Sequence, residues 1–311
     1  GARLRFHLDL RHPALRRILS LYVPIALGVV VSNLQIAIDR RLASSTGENS
    51  IAWMANATTL FQLPHGLVAV AISLAVLPTL SRFSARGDEE SFRSTLGQGL
   101  RLVLALIVPA TVGLLVLGQP IISLLFEHGK FTAHDTFWTS WALRYYLVGL
   151  IFAGIDWPLN YAFYARQDTL TPALVGVLSV VVYLAVALAL LAPLGMLGLV
   201  LADSAKHFSH ALTMLYLTRR RVGGLGHLGL GTAAGKALLA AGAMAGGILL
   251  ALAGVNQLWP GGGLGSRLLA VALPGALGVL LFLGAARLLK LQELMYLGGL
   301  LRSRLPGRRF D

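Results

Sequence analysis

At 311 residues, 56% hydrophobic and only 13% charged, the chain falls far short of the roughly 25% charge that soluble domains carry. Its net charge of +13 is clustered between apolar runs instead of forming one basic face, which argues against a nucleic-acid partner and for loops between membrane helices. There is no cysteine, so disulfide frameworks and Cys-based metal or redox centres are excluded.

The first seventeen residues are basic and polar, and the apolar run after them lacks a small-residue cleavage pattern and has a polar end, so no signal peptide is expected; with Gly1 at the start, the chain reads as a fragment or a product trimmed upstream. Eight apolar runs follow. The first, Ile18 to Ala43, ends in a polar group that includes Asn33, Gln35, Asp39, Arg40 and Arg41. The second, Ile51 to Arg82, organises the chain. It is apolar on all sides and long enough to cross the ~30 Å hydrocarbon layer, and it holds Pro64 and Pro78. A proline inside such a helix frees a carbonyl and bends the axis, so a kinked helix within a bundle is expected, not a lone anchor.

The third run, Leu96 to Leu117, ends at Gly118-Gln119-Pro120, and Ile121 to Phe126 reads as a separate short interfacial turn. The fourth, Thr136 to Ala165, is the least apolar and holds Arg144, Asp156 and Asn160. The fifth, Pro172 to Leu191, is almost wholly aliphatic. Pro193-Leu194-Gly195 turns the chain into the sixth, Met196 to Leu217, which carries Asp203, Lys206, His207 and His210. The seventh and eighth are Thr232 to Leu252 and Leu264 to Leu289. Gly231-x-x-x-Gly235 and Gly242-x-x-x-Gly246, with Gly275 and Gly278, suit either a tightly packed terminal pair or a lipid-facing helix without a partner.

The fold class is thus an all-α polytopic membrane protein. Eight transmembrane helices are expected: a basic segment at 1–17, a six-helix lobe at 18–221, and a two-helix pair with a basic tail at 222–311. With the N-terminus inside, the inner loops hold 20 of the 26 Lys and Arg, the outer loops hold four, and two lie within spans. That bias places both termini in the cytoplasm.

Three motifs carry a family resemblance. The first is Leu63-Pro64-His65-Gly66-Leu67, followed by Val70-Ala71-Ile72 and Leu77-Pro78-Thr79-Leu80-Ser81. The second is Phe126-Glu127-His128-Gly129-Lys130-Phe131-Thr132 with Asp135-Thr136. The third is Phe163-Tyr164-Ala165-Arg166-Gln167-Asp168-Thr169 with Thr171-Pro172. In this order the chain resembles the MurJ/MviN lipid II flippases, within the multidrug/oligosaccharidyl-lipid/polysaccharide exporter superfamily. The likeness is close over about 13–221 and matches the family's second lobe and last two helices.

It implies a bacterial inner-membrane transporter that moves lipid II, or a similar polyprenyl-pyrophosphate-linked glycan, by alternating access against a first lobe this chain lacks. Local chemistry accounts for the motifs equally well. Gly129 permits a left-handed turn, Thr132 or Asp135 caps the next helix, and Thr171 with Pro172 starts another.

The resemblance implies substrate contacts from Arg40, Arg41, Thr59, Gln62 and Arg144. It also implies a cation site at Asp39, although the fifth run offers only Ser179 and Tyr183 to complete it. Pairing of Asp39 with Arg40 or Arg41 is the plainer reading. The family usually places Asn or Asp and then Arg where this chain has Thr58 and Thr59. Arg144 and Asp156 lie twelve residues apart, about 18 Å along a helix, and cannot pair with each other. Asp203 and Lys206 can, being three apart. No metal and no cofactor are expected; coupling to sodium or protons stays open. A transport-incompetent scaffold and an exporter of another amphiphile remain as alternatives. No catalytic set argues for an enzyme.

Overall fold

The computed structural model describes residues 13–223, 228–259, 261 and 263–294; the basic segment at 1–12 and the tail beyond 294 lie outside them. Among the described residues the regular structure is all helical. Helix α1 is Pro13–Ser44, α2 is Ser50–Pro64, and α3 is Ala71–Arg86. They are followed by α4 (Glu89–Phe126), α5 (Ala133–Ala165), α6 (Leu170–Leu194), α7 (Met196–Val222), α8 (Leu230–Leu258) and α9 (Leu264–Leu288).

Between α2 and α3 the chain never leaves a helical path. Residues His65–Val70 form one widened π segment directly after Pro64. The expected kink is therefore a π-bulge, one of the few ways a helix absorbs a proline without breaking. Ile121 to Phe126 is not a separate turn. Helix α4 runs on through Pro120, because Leu117 and Ile122 on either side are buried in the lobe and hold the helix together past the missing hydrogen bond.

Six helical stretches are long and apolar enough to cross a membrane: α1, α2 with α3, α4, α6, α8 and α9. Helices α5 and α7, which carry Arg144, Asp156, Asp203 and Lys206, are the two long helices that fall short on apolarity. They pack against each other along their length. Ser204 Oγ donates to Tyr145 O at 2.7 Å, and a Cβ at Gly149 would stand 2.8 Å from Ser204 Cα. One buried cluster joins α1, α2, α4, α5, α6 and α7; a second joins α3, α4, α5, α6 and α7.

A third cluster, Ala237, Ala240, Ala241, Met244 and Ile248 with Phe282, joins α8 to α4 and α9. The glycine motifs of α8 do not make this contact. Gly231, Gly235, Gly242 and Gly246 have open space where a side chain would be. The close approach lies at Gly247, against Leu281, and at Gly278, where a Cβ would stand 2.7 Å from Ile248. The motif residues fall off the stripe that Ala233, Ala237, Ala240, Met244 and Ile248 set at helical spacing.

Both ends of the terminal pair are pinned. Arg267 of α9 donates to Glu127 Oε1 and to the Glu127 carbonyl, each at 2.8 Å, while Glu127 Oε2 accepts from Thr136 Oγ1 at 2.7 Å. At the other end Arg101 of α4 pairs with Glu293 at 2.8 Å and donates to Leu228 O at 2.6 Å.

The loop motifs act as caps. Gly129 takes φ +62°, and Asp135 accepts from Thr132 N–H at 2.7 Å and from the Trp53 indole at 2.9 Å. At the opposite face Asp168, not Thr171, is the capping acceptor: its Oδ1 receives Thr171 N–H at 3.0 Å, and it also binds the Thr171 hydroxyl and Arg221. Burial raises the Asp168 carboxyl, but those three donors outweigh it and hold it below the usual carboxylate range. Arg166 completes this face, paired with Glu89 and lying 4.5 Å over the Phe92 ring.

Gly149→Ala forces a Cβ against the Ser204 backbone and is expected to destabilise by about 1–3 kcal/mol. Gly242→Ala meets open space and should stay within about 0.5 kcal/mol of wild type in the same thermal-unfolding assay in detergent. Hydrogen bonds from Thr132 N–H, the Trp53 indole and the Thr132 hydroxyl hold Asp135 below its ordinary value of 3.8. Its contribution to stability is therefore full above that value and fades as the pH falls through the folded-state value. Asp135→Ala is expected to lower the melting temperature at neutral pH, and the gap should close in strong acid. An undiminished gap there counts against the assignment.

Candidate functional site

A cavity of about 780 Å³ opens between α1, α2, α5, α6 and α7. It exists because α7 carries Asp203, Lys206, His207 and His210 at spacings of three and four on one face. Facing them from α5 are Asp156, Trp157 and Asn160; α1 supplies Gln35, Asp39 and Arg40, and α2 supplies Thr58, Thr59 and Gln62. His65 reaches the cavity from the first residue of the π segment.

Several groups of paired polar side chains lie along the cavity wall. Tyr183 of α6 donates to Asp39 of α1. Lys206 binds Asp203 and donates to Gln35 Oε1 at 3.3 Å. His207 lies between two carboxylates, with Nε2 3.6 Å from Asp203 Oδ2 and Nδ1 3.6 Å from Asp156 Oδ2. His210 Nδ1 is 3.0 Å from the other Asp156 oxygen, but neither of those two atoms has an aligned hydrogen-bond partner among the described residues. The Trp157 indole donates to His65 Nε2 at 3.0 Å.

Several expected site residues do meet here. Asp39, Arg40, Thr59 and Gln62 all line the cavity. Asp39 pairs with Tyr183 and with neither neighbouring arginine, because its side chain turns inward while Arg40 and Arg41 stay exposed. Thr58 and Thr59 donate their hydroxyls to their own helix, to Met54 O at 2.7 Å and Ala55 O at 3.0 Å, which leaves only lone pairs for a ligand.

Two expected residues lie elsewhere. Arg41 is absent from the cavity lining. Arg144 stands 5.0 Å over the Trp141 ring and lines a separate cavity of about 440 Å³, walled by Glu127, Trp259 and Arg267. Asp203 and Lys206 pair as their spacing implies. What spacing along one helix leaves open is that α5 brings Asp156 to both histidines, or that a π segment brings in His65. The polar stripe on α7 is the signal that a wet wall exists; its partner wall belongs to another helix.

Comparison with known proteins places the chain in a clear setting. The family model described as lipid II flippase MurJ matches residues 1–270. The probable lipid II flippase MurJ of Vibrio cholerae is 33% identical over 271 residues, covering 86% of this chain and 51% of that protein. The corresponding protein of Bdellovibrio bacteriovorus is 29% identical over 282 residues, 91% of this chain and 53% of its own length. The chain therefore spans about half the length of these relatives. Among solved structures, a lipid II flippase MurJ in an inward closed conformation superposes with a TM-score of 0.70 at 24% identity, covering 91% of this chain and 56% of that one. An outward-facing multidrug transporter of the MATE family shares the fold at TM-score 0.57 and 18% identity, over 90% of this chain and 66% of its own.

Proposed function

Because this chain belongs to the lipid II flippase MurJ family, we propose that it forms the cavity-bearing lobe and terminal helix pair of a lipid II flippase. In that reading it works in the bacterial inner membrane during cell-wall synthesis. The observation that carries the proposal is the cavity of about 780 Å³ lined with polar side chains, three of whose walls, α1, α2 and α6, belong to stretches long and apolar enough to cross a membrane. A pyrophosphate and sugar head group needs such a polar recess, while its polyprenyl tail needs the surrounding lipid. Alternating access needs two bundles that move against each other, so a first lobe completes the cavity.

The reading has eight spans, with α5 and α7 crossing as inner walls of the bundle and sheltering their charges from hydrocarbon. It keeps both termini cytoplasmic, in line with the twenty-to-four distribution of Lys and Arg. It keeps the division into a lobe at 18–221 and a helix pair at 222–311. Arg40, Thr59 and Gln62 contact the head group, and Asp39 with Tyr183 is the place for a coupling cation. The scaffold alternative draws on one observation: Lys206, the cavity's inner cation, is already engaged by Asp203.

Native mass spectrometry with lipid II separates the two readings. Binding by the 311-residue chain is expected for the flippase lobe, and no binding at equal folded yield overturns it. Arg40 sits at an exposed rim, so Arg40→Ala should weaken binding by up to about fivefold, equivalent to 1 kcal/mol or less. Arg41→Ala, outside the cavity, should leave binding unchanged, and Thr59→Arg should tighten it. For topology, a cysteine placed at Arg220 in this Cys-free background should react only with reagent applied from the cytoplasmic side. Labelling from the periplasm overturns the orientation.

A further inference from the structure

The cavity holds three carboxylates, Asp39, Asp156 and Asp203, against two permanent cations, Arg40 and Lys206. With its histidines neutral it is therefore formally negative, which is a poor match for an anionic head group. Three histidines stand in the same wall, and one of them is placed in a particular way. Both ring nitrogens of His207 face carboxylate oxygens at 3.6 Å, Asp156 on one side and Asp203 on the other. A neutral imidazole carries one N–H, so it can donate to only one of these neighbours while its lone pair faces the other. Only the imidazolium, with two N–H groups, suits both.

Asp156 supplies a second, independent sign. It is 7% exposed, and its Oδ1 has no aligned donor although His210 Nδ1 stands 3.0 Å away, itself without an aligned partner. Two buried polar atoms left facing each other are costly unless a proton or ligand joins them.

We infer that the cavity takes up its pyrophosphate-bearing ligand together with a proton, held on His207 between Asp156 and Asp203, with His210 steadying Asp156 from the far side. The proton comes from bulk water through the open cavity and no bond is made or broken. It moves the cavity's formal charge from negative to neutral as the anion enters. The groups facing His207 are accounted for on every wall. Helix α1 presents Asp39 and Arg40, and the π segment presents His65, whose ring centroid is 6.3 Å from that of His207. Helix α2 presents Phe61, stacked on the His207 ring, with the neutral Thr58, Thr59 and Gln62; α5 presents Asp156 and Tyr146, α6 presents Tyr183, which is bound to Asp39, and α7 itself presents Asp203, Lys206 and His210. His65 Nε2 stands 3.0 Å from the Trp157 indole nitrogen and 3.2 Å from the Ala153 carbonyl, so that nitrogen is already engaged by α5 and faces no carboxylate.

This inference rests on the anion-cavity reading, and the test separates their failures. Isothermal calorimetry on the full chain in detergent, in two buffers of equal pH and different ionisation enthalpy, counts protons taken up per ligand. The probes are lipid II and UDP-N-acetylglucosamine. Both are pyrophosphate diesters without a group that titrates near neutrality, so any uptake belongs to the protein. About one proton per bound ligand is expected, with affinity rising up to tenfold per pH unit on acidification through the histidine range. Uptake with both probes means that the head group alone suffices; uptake with lipid II alone means that the lipid-linked form is the ligand.

His207→Asn should abolish the uptake and flatten the pH dependence, while His128→Asn, in the loop after α4 and outside the cavity, should retain both. Binding without proton uptake in the wild type overturns the inference and leaves the cavity reading standing, and this arm needs no variant to fold. Uptake that survives in both His207→Asn and His210→Asn also overturns it. No binding of either probe at any pH overturns the cavity reading itself.

Discussion

Charge in hydrocarbon is the constraint from which this architecture follows. An ionised side chain facing lipid costs at least ~2.5 kcal/mol, and α5 and α7 together carry Asp156, Asp203 and Lys206. The two helices meet that cost by turning to each other. Small residues make the contact close: Gly149 and Ser204 let the backbones approach, and the Ser204 hydroxyl satisfies a carbonyl of the facing helix. The polar faces then line a recess instead of lipid, and α1, α2 and α6 close around it. The aliphatic α6 contributes one polar side chain of consequence, Tyr183, and its hydroxyl goes to the one acid on α1.

How far the sequence could be read depended on whether a feature is local. The helices emerge from run length and apolarity, and the turn at Gly129 and the cap at Asp135 follow from residues a few positions apart. The Asp203–Lys206 pair is local in the same sense. Pairings between helices are not. Asp39 has two arginines next to it in sequence and a tyrosine 144 residues away, and the tyrosine is its partner because α6 lies against α1. The same holds for Arg144, whose guanidinium suits a phosphate but whose helix face looks away from the cavity. On α8 the spacing of Gly242 and Gly246 was readable, but not which face of the helix a neighbour would cover.

The three loop and kink motifs divide the work by position. The proline-histidine motif makes the π segment and so sets one side chain of the cavity wall. The other two lie at opposite ends of the helices, where carboxylates cap backbone N–H groups and engage arginines from distant segments. Their chemistry is that of fasteners, and it keeps the wall-forming helices in register.

The pins at the two ends of α4 have a mechanical consequence for the last two helices. Arg101 and Glu127 are twenty-six residues apart on one helix or at its end, roughly 39 Å along its axis. A body fixed at one point can swivel; one fixed at two points that far apart cannot, except about the line joining them. The buried packing of Ala105 and Val108 of α4 in one cluster with Ala237, Ala240 and Met244 of α8 opposes that remaining rotation. Helices α8 and α9 are therefore ballast bolted to the lobe. Any tilt of the lobe carries them through the same arc, and a load applied to them is transmitted directly to α4.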